Sequence, residues 1–335
     1  MRPMFKNLLI GVALCLVIGL KHAWAEPLER VGPAGASPFD AAQMVGQIEN
    51  DRLVECSGLD SSLRHDDLLW AINDGGNGPF LYALGSNGHD RGSVRVSGAK
   101  NRDWEGLDTF RWQGRPMILI ADIGDNKQRY ERHTLYIVEE PPLDGERLTH
   151  SAVVDVAWRI DFAYPDRNHD AEGVAVDPLN NEVLILTKRD DPPRLFALPL
   201  EATSTGQVAV ARQVAPIDRI PPPTFEDRLQ PFGDFRSQPT ALDVSANGLE
   251  MVVLTYKHAY LFQRRPGDSW ATAVGAGPIV ITLPLPQDDR HLVQREAVCF
   301  SMDGGSLLVS SEGKGAGIFQ LTVKKDRDQR PLPLQ

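Results

Sequence analysis

The chain repeats a short pattern of one polar, one small and one aliphatic residue five times. The five copies are Ser57-Gly58-Leu59, Glu105-Gly106-Leu107, Glu172-Gly173-Val174, Thr240-Ala241-Leu242 and Glu296-Ala297-Val298. Each copy is followed by an aliphatic run and then by an aliphatic residue beside an aromatic one. Recurrence of the same segments at similar intervals indicates a repeat architecture.

Each repeat contains enough apolar segments for four strands. The five-fold pattern opens the first strand, and the aliphatic runs at residues 68–72, 117–120, 183–186, 251–254 and 307–309 form the second. The third strands carry Leu81-Tyr82, Leu135-Tyr136, Leu195-Phe196, Leu261-Phe262 and Ile318-Phe319, and fourth strands are expected within residues 94–97, 153–160, 208–220 and 279–283. Four-stranded antiparallel units of this size are the blades of a β-propeller. We therefore predict an all-β fold with five blades.

The fifth repeat lacks a fourth strand of its own. Residues 42–323 form the predicted propeller domain, preceded by a lead-in segment at 26–41 and followed by a charged tail at 324–335. An open strand edge invites unwanted pairing, so we expect residues 44–48 to supply the missing strand. A sixth blade between residues 200 and 238 is the alternative interpretation.

The first 25 residues differ from the rest of the chain. Arg2 and Lys6 precede an apolar stretch at residues 8–20, and Ala23-Trp24-Ala25 follows it as a cleavage site. This arrangement is typical of a bacterial secretory signal peptide, and about thirteen apolar residues are fewer than the ~20 that span a bilayer. We expect a periplasmic or secreted protein without stable membrane insertion after cleavage. An uncleaved membrane anchor is the alternative.

Charge narrows the range of partners. Loss of the signal peptide removes Arg2, Lys6 and Lys21 and no acidic residue, so the formal net charge changes from −10 to −13. An acidic chain without a basic stripe repels phosphate backbones, which argues against nucleic acid. A propeller of this size needs no partner to fold, and we expect a monomer.

Two cysteines remain after cleavage, Cys56 in the first repeat and Cys299 in the last. These repeats are neighbours in a closed ring, and an oxidising compartment permits a disulfide that locks them together. Strand alternation, however, predicts that both side chains point the same way around the ring rather than toward each other. Two buried thiols are the alternative.

Carboxylates recur at one end of the first strands. Alternation places the polar residue of each pattern and the residue two positions earlier on the same side, and first strands line the channel of a propeller. The second strands run antiparallel and end in polar residues at the same channel mouth. These two positions of the aligned repeats form two columns, whose acidic members are Glu105, Glu172, Glu296, Asp103, Asp170 and Glu55.

Converging carboxylates raise one another's pKa unless a cation neutralises them. Ca²⁺ takes 6–8 oxygen ligands, whereas Zn²⁺ prefers His or Cys, which these columns lack. We therefore predict a Ca²⁺ site formed by these six residues, and residues 122–126 offer a second oxygen-rich loop. Ordinary axial packing with water is the competing interpretation.

Four residues at this mouth are candidates for chemistry. Asp122 or His169 would position a water molecule, and Lys188 or Lys257 would hold an anionic group. The chain has no Gly-x-Ser-x-Gly, His-Glu-x-x-His or Cys-x-x-Cys motif, which disfavours a serine hydrolase, a zinc protease and dithiol redox chemistry.

Several motifs together resemble a family of secreted bacterial β-propellers grouped with phytase-like, or esterase-like phytase, proteins. They are residues 69–76, Asp103-Trp104-Glu105, residues 121–126, residues 169–173 and Ser310-Ser311-Glu312. The resemblance spans about residues 53–322 and implies calcium-dependent hydrolysis of phosphate esters. Phytases of this kind have six blades, whereas this chain has five repeats.

Two functions are consistent with the sequence. The first is a metal-dependent hydrolase of a phosphate or carboxylic ester, working at the channel mouth. The second is a non-catalytic module that binds a small anionic molecule or a periplasmic protein, with a structural cation at the axis.

Overall fold

The computed structural model describes residues 36–148, 153–201, 207–284 and 293–324. The predicted signal peptide, most of the lead-in segment and all but the first residue of the charged tail lie outside the described residues. Nearly all regular structure within the described ranges is β-strand. None of the helices described there is long and apolar enough to cross a lipid bilayer.

The strands pair as the repeats predict. The first described strand is β1 (Gln43–Gln47), and blade 1 follows with β2 (Cys56–Ser61), β3 (Leu68–Asn73), β4 (Phe80–Gly85) and β5 (Asp90–Ser97). Blade 2 contains β6 (Trp104–Trp112), β7 (Arg115–Asp122), β8 (His133–Glu139) and β9 (Val153–Ala163). Blade 3 contains β10 (Ala171–Asp177), β11 (Glu182–Thr187), β12 (Arg194–Pro199) and β14 (Arg212–Pro216), after the two-residue β13 (Ala209–Val210).

The remaining strands complete the ring. Blade 4 contains β15 (Pro239–Val244), β16 (Glu250–Thr255), β17 (His258–Gln263) and β18 (Ile279–Thr282). Blade 5 contains β19 (Arg295–Phe300), β20 (Ser306–Ser311) and β21 (Gly317–Thr322), and β1 pairs antiparallel with β21 as its fourth strand. Five blades closed by the N-terminal strand are therefore confirmed.

The stretch between residues 200 and 238 is not a sixth blade. Its described part holds β13, β14, the helix α1 (Phe225–Arg228) and a 3₁₀ turn (Gly233–Phe235), and a second helix α2 (Trp270–Ala276) follows in blade 4. The chain after β14 is a loop that leads into the innermost strand of blade 4. Because fourth strands end where first strands begin, this loop lies on the mouth face.

Five hydrophobic clusters hold the ring together, one at each junction between neighbouring blades. The second strands β3 and β20 are buried along their whole length, as the continuous aliphatic runs require. The innermost strands β2, β6, β10, β15 and β19 each pack against the next, and β19 packs against β2. The N-terminal ends of these innermost strands and the C-terminal ends of the second strands together form one channel mouth.

Every innermost strand carries a β-bulge at the polar residue of the repeated pattern. The pairing register shifts between Cys56 and Gly58, and equivalent shifts skip Glu105, Glu172, Thr240 and Glu296. A bulge inserts one unpaired residue and re-aims the side chains around it. Cys56 and Leu59 consequently share one hydrophobic cluster although they are three residues apart.

The bulge also overturns the alternation argument for the two cysteines. Cys56 precedes the bulge of its strand and Cys299 follows the bulge of its own, so simple parity gives the wrong relative direction. Both side chains enter the cluster between blades 5 and 1. Their thiols are free, and burial raises the pKa of Cys56 to about 12.

Candidate metal centre at the channel mouth

The bulged positions form a polar layer just inside the channel mouth. Glu105, Glu172 and Glu296 are all buried there. The Ser57 hydroxyl donates to the carbonyl oxygen of Trp104 at 2.8 Å, which ties blade 1 to blade 2. The Thr240 hydroxyl is buried and has no hydrogen-bond partner among the described residues. The three glutamates therefore have different surroundings although they occupy equivalent positions.

Lys188 neutralises part of this layer. It follows the last residue of β11, and its Nζ lies 2.8 Å from Oε1 of Glu172 and 3.8 Å from Oε1 of Glu296. The Tyr256 hydroxyl donates to the same oxygen of Glu296 at 2.6 Å. Burial alone would lower the pKa of Lys188, but the carboxylates of Glu172 and Glu296 raise it above its usual range. Lys188 therefore serves as an internal counter-ion for these two glutamates.

Glu105 has no such partner. Its side chain accepts no hydrogen bond and forms no ion pair with any described residue, although the residue is only 3% exposed. Carboxylate oxygens of Asp74, Asp103 and Glu105 lie within 4.8 Å of one another. Burial, Glu172 and Asp74 raise the pKa of Glu105 well above its usual range, and the charge of Lys188 opposes this shift only in part. Burial, with the charge of Asp103 as a smaller contribution, raises the pKa of Asp74 to about 7.

Two glycines leave room for this cluster. A Cβ added at Gly124 would lie 2.4 Å from Oε1 of Glu105 and 2.6 Å from Oδ2 of Asp103. One added at Gly75 would lie 2.4 Å from Oδ1 of Asp103. Both contacts are closer than real Cβ atoms approach, so the sequence positions after Asp74 and after Ile123 need glycine for space. The three carboxylates are therefore enclosed by the ends of β3 and β7.

More acid surrounds the cluster than Lys188 neutralises. Burial and the nearby Glu296 raise the pKa of Glu312 to about 10, and Gln294 donates to Oε2 of Glu312 at 2.6 Å. Glu55 is exposed and accepts a hydrogen bond from Asn77 at 2.7 Å. The mouth is therefore an acidic bowl across blades 5, 1 and 2.

The structure divides the six residues expected to share one cation. Asp103 and Glu105 come together with Asp74, which the sequence did not place in the ligand set. Asp170 instead faces Nε of Arg189 at 2.7 Å and accepts from the backbone N–H of Asp125 at 2.8 Å. With Glu172 and Glu296 held by Lys188 and Glu55 at the rim, only Asp74, Asp103 and Glu105 form a cluster with metal-ligand spacing in the described part of the chain.

The loop at residues 122–126 uses its oxygens within the protein. Asp122 accepts from the backbone N–H of Asp103 at 2.8 Å, and Asp125 accepts from that of Tyr130 at 2.7 Å. Asn126 accepts a hydrogen bond from Arg189. These hydrogen bonds fix the loop that carries Gly124. The loop therefore helps to position the carboxylate cluster and does not supply ligands to it.

The other two candidates for chemistry are also engaged. His169 is fully buried, with Nδ1 2.7 Å from Asp190 and Nε2 2.9 Å from Asp166. Lys257 pairs with Asp227 of helix α1 at 2.7 Å. Within the same loop, the Phe232 ring stacks on Tyr256 with centroids 4.3 Å apart. Lys257 therefore anchors the loop that precedes blade 4.

A second acidic layer lies deeper in the channel, three residues after the polar position. Asp60, Asp108 and Asp243 each accept a hydrogen bond from the backbone N–H of the next blade, at Thr109, Val176 and Phe300. Ala175 and Cys299 occupy the equivalent positions of blades 3 and 5. The three-residue pattern of the repeats ends before this layer. Extending the alignment of the repeats by one residue brings the three aspartates into the same position.

Comparisons with known proteins add little to this geometry. The chain matches no protein-family profile and no curated protein. A chain of the crystal structure titled nidogen/laminin complex is similar at 14% sequence identity, covering 77% of this chain and 73% of that chain with a TM-score of 0.42. The propeller assignment rests on the strand pairing of this chain itself.

Proposed function

We propose that this protein is an exported propeller that binds Ca²⁺ through Asp74, Asp103 and Glu105 at its channel mouth and binds a small anionic ligand through that ion. The observation that carries the proposal is Glu105, a residue only 3% exposed that forms no ion pair with a described residue and lies within 4.8 Å of two further carboxylates. A buried charge without compensation is strongly unfavourable. A bound cation supplies that compensation.

The geometry of the cluster supports calcium in particular. Oxygen ligands lie about 2.3–2.6 Å from Ca²⁺, so ligands on opposite sides of the ion are separated by roughly 4.6–5.2 Å. The carboxylate oxygens of the three residues lie within 4.8 Å of one another, so a single Ca²⁺ can contact all three. No His or Cys belongs to the cluster, which disfavours zinc.

The contacts of the four residues expected to take part in chemistry support ligand binding more than catalysis. Lys188, Lys257, His169 and Asp122 are all held in ion pairs or hydrogen bonds with the protein. A residue that transfers a proton or holds a substrate must be able to reach it. The cation is then the group at the mouth that is left to contact an anion.

Metal-dependent ester or phosphoester hydrolysis is the second candidate. Three carboxylates fill only part of the 6–8 positions around Ca²⁺, and an ion with open positions polarises a bound oxygen or water. This activity also agrees with the resemblance to phytase-like propellers. Turnover of a panel of phosphate and carboxylic esters with Ca²⁺, absent with a chelator, would favour it over binding alone.

Calorimetric titration of the mature protein with CaCl₂ tests the main proposal. We expect one site in the parent chain and a loss of at least tenfold in affinity for Asp103→Asn. Asp108→Asn is the matched control, because it makes the same substitution at a buried aspartate of β6, five residues further along the chain and outside the cluster, and it should bind as the parent does. Equal affinities for the parent and Asp103→Asn would overturn the proposal.

A further inference from the structure

Lys188 places its ammonium in the polar layer of the channel mouth, beside carboxylates that a bound cation would otherwise neutralise. Its ammonium lies between carboxylates from two different blades, Glu172 of blade 3 and Glu296 of blade 5, at 2.8 and 3.8 Å. It also lies 5.3 Å above the ring of Tyr256. The side chain is only 7% exposed, so exchange with solvent ions is restricted.

The polar layer that holds the ammonium carries oxygens beyond the two that the ammonium contacts. Thr240, in the blade between Glu172 and Glu296, has a buried hydroxyl without a described hydrogen-bond partner. Tyr256 directs its hydroxyl to Glu296. Two carboxylates and two hydroxyls are the ligand types that a hard cation takes from a protein.

We propose that Lys188 is a built-in counter-cation that closes the axial position to metal and restricts the protein to one exchangeable divalent cation, at Asp74, Asp103 and Glu105. The second half of this statement rests on the proposed function, whereas the role of Lys188 at the axis does not. An ammonium tethered beside Glu172 repels a second divalent ion and cannot be removed by a chelator. The axis therefore stays neutralised while the site at Asp74, Asp103 and Glu105, called the rim site below, fills and empties.

Stoichiometry of Ca²⁺ binding, measured by calorimetry on the mature chain, tests this role. The parent protein and Lys188→Arg should bind one ion, because both keep a cation at the axis. Lys188→Met should bind two. Asp74→Asn combined with Lys188→Met should return to one, since only the axial position remains. A purely structural lysine would alter stability without changing the number of ions bound.

The outcomes separate the two proposals. One ion in both the parent and folded Lys188→Met would overturn the role of Lys188 and leave the rim site standing. No ion in the parent and one in Lys188→Met would overturn the rim site and support the role of Lys188. No ion in either protein would overturn both.

A second variant keeps the test decisive if Lys188→Met does not fold in a chelator. We then expect CaCl₂ to restore its circular dichroism spectrum, because the ion replaces the lost ammonium. Lys188→Met with Glu172→Gln removes one charge of each sign and should fold without Ca²⁺. Failure of CaCl₂ to restore Lys188→Met while this double variant folds would overturn the proposal.

Discussion

Two acidic layers lie three residues apart along the innermost strands, with only β6 contributing to both, and they differ in the groups that satisfy their carboxyls. The deep aspartates Asp60, Asp108 and Asp243 each accept a backbone N–H of the neighbouring blade. The glutamates of the mouth layer sit on bulges, where two share the ammonium of Lys188 and Glu105 has no described partner. The same chemical group thus joins blades at one depth and remains available at the other. The deep layer is part of the scaffold, and the mouth layer is where we propose that a ligand binds.

Removal of a deep aspartate should have the largest effect. Asp108→Ala leaves the buried N–H of Val176 without an acceptor, which costs roughly 1–3 kcal/mol of the free energy of unfolding. Chemical denaturation measures this loss. Asp108→Asn keeps an acceptor for this N–H, so its change should stay under about 1 kcal/mol. Equal destabilisation by both substitutions would contradict the role of the hydrogen bond.

A methyl group at the mouth should act on affinity instead of stability. Gly124→Ala places a Cβ against the ends of the Glu105 and Asp103 side chains, which have to move apart. We expect about a tenfold weaker affinity for Ca²⁺, equivalent to ~1.4 kcal/mol. Gly114→Ala is a control at a turn where nothing lies within 4 Å of the added carbon, although its positive φ of 80° strains alanine. The reverse pattern, with calcium affinity altered by Gly114→Ala and unaltered by Gly124→Ala, would refute the role of Gly124 in leaving space for the carboxylates.

The deep layer should also make stability depend on pH. Burial raises the pKa of Asp60 from 3.8 to about 7, so the folded chain holds a proton that the unfolded chain releases above about pH 4. This contribution is complete below pH 4 and is lost as the pH rises through about 7. Without divalent cations, the free energy of unfolding should fall by at least about 1 kcal/mol between about pH 5 and pH 8.

Asp60→Asn isolates this contribution from that of the mouth carboxyls. The variant cannot ionise at this position, so its unfolding free energy should change less with pH than that of the parent. Urea denaturation at several pH values measures both slopes. A parent and a variant with identical slopes would show that Asp60 titrates normally in the folded chain.

Glu105→Gln should have the smallest effect on stability and the opposite sign. It replaces a buried acid whose ionised form is disfavoured by burial and by Glu172 and Asp74, so in a chelator the free energy of unfolding should rise by about 0.5–1 kcal/mol. Thermal unfolding with and without CaCl₂ should show this gain together with a weaker stabilisation by calcium. Destabilisation in the chelator would mean that Glu105 is already compensated in the apo protein.

Blade count and ring closure were predictable because they depend on hydrophobic periodicity. The aliphatic runs and the lack of a fourth strand in the last repeat identify five blades and the strand that completes them. The aliphatic runs are visible in one sequence because every repeat carries them, and the missing strand is visible because the last repeat differs from the others.

The details of the mouth were not predictable in the same way. Alternation cannot reveal a bulge, and each bulge reverses the parity of residues on its two sides, as the directions of Cys56 and Cys299 show. The insertion of Lys188 between two glutamates depends on the path of the chain after β11, where the sequence shows only one more polar residue. The layer of deep aspartates could have been predicted, because Asp60, Asp108 and Asp243 occupy the same position of the aligned repeats.

The strand that closes the ring also determines how the molecule responds to force. Gln43 of β1 lies opposite Gln320 of β21, and Gln47 lies opposite Gly317. The chain segments outside this pair therefore leave from the same end, where Asp40 donates to Thr322 and Lys324 donates to Pro38. Tension applied through these segments separates β1 from β21 one hydrogen bond at a time, like a zipper, and does not load all the bonds together. Although five hydrophobic clusters join its blades, the ring should thus open at low force when it is pulled from its ends.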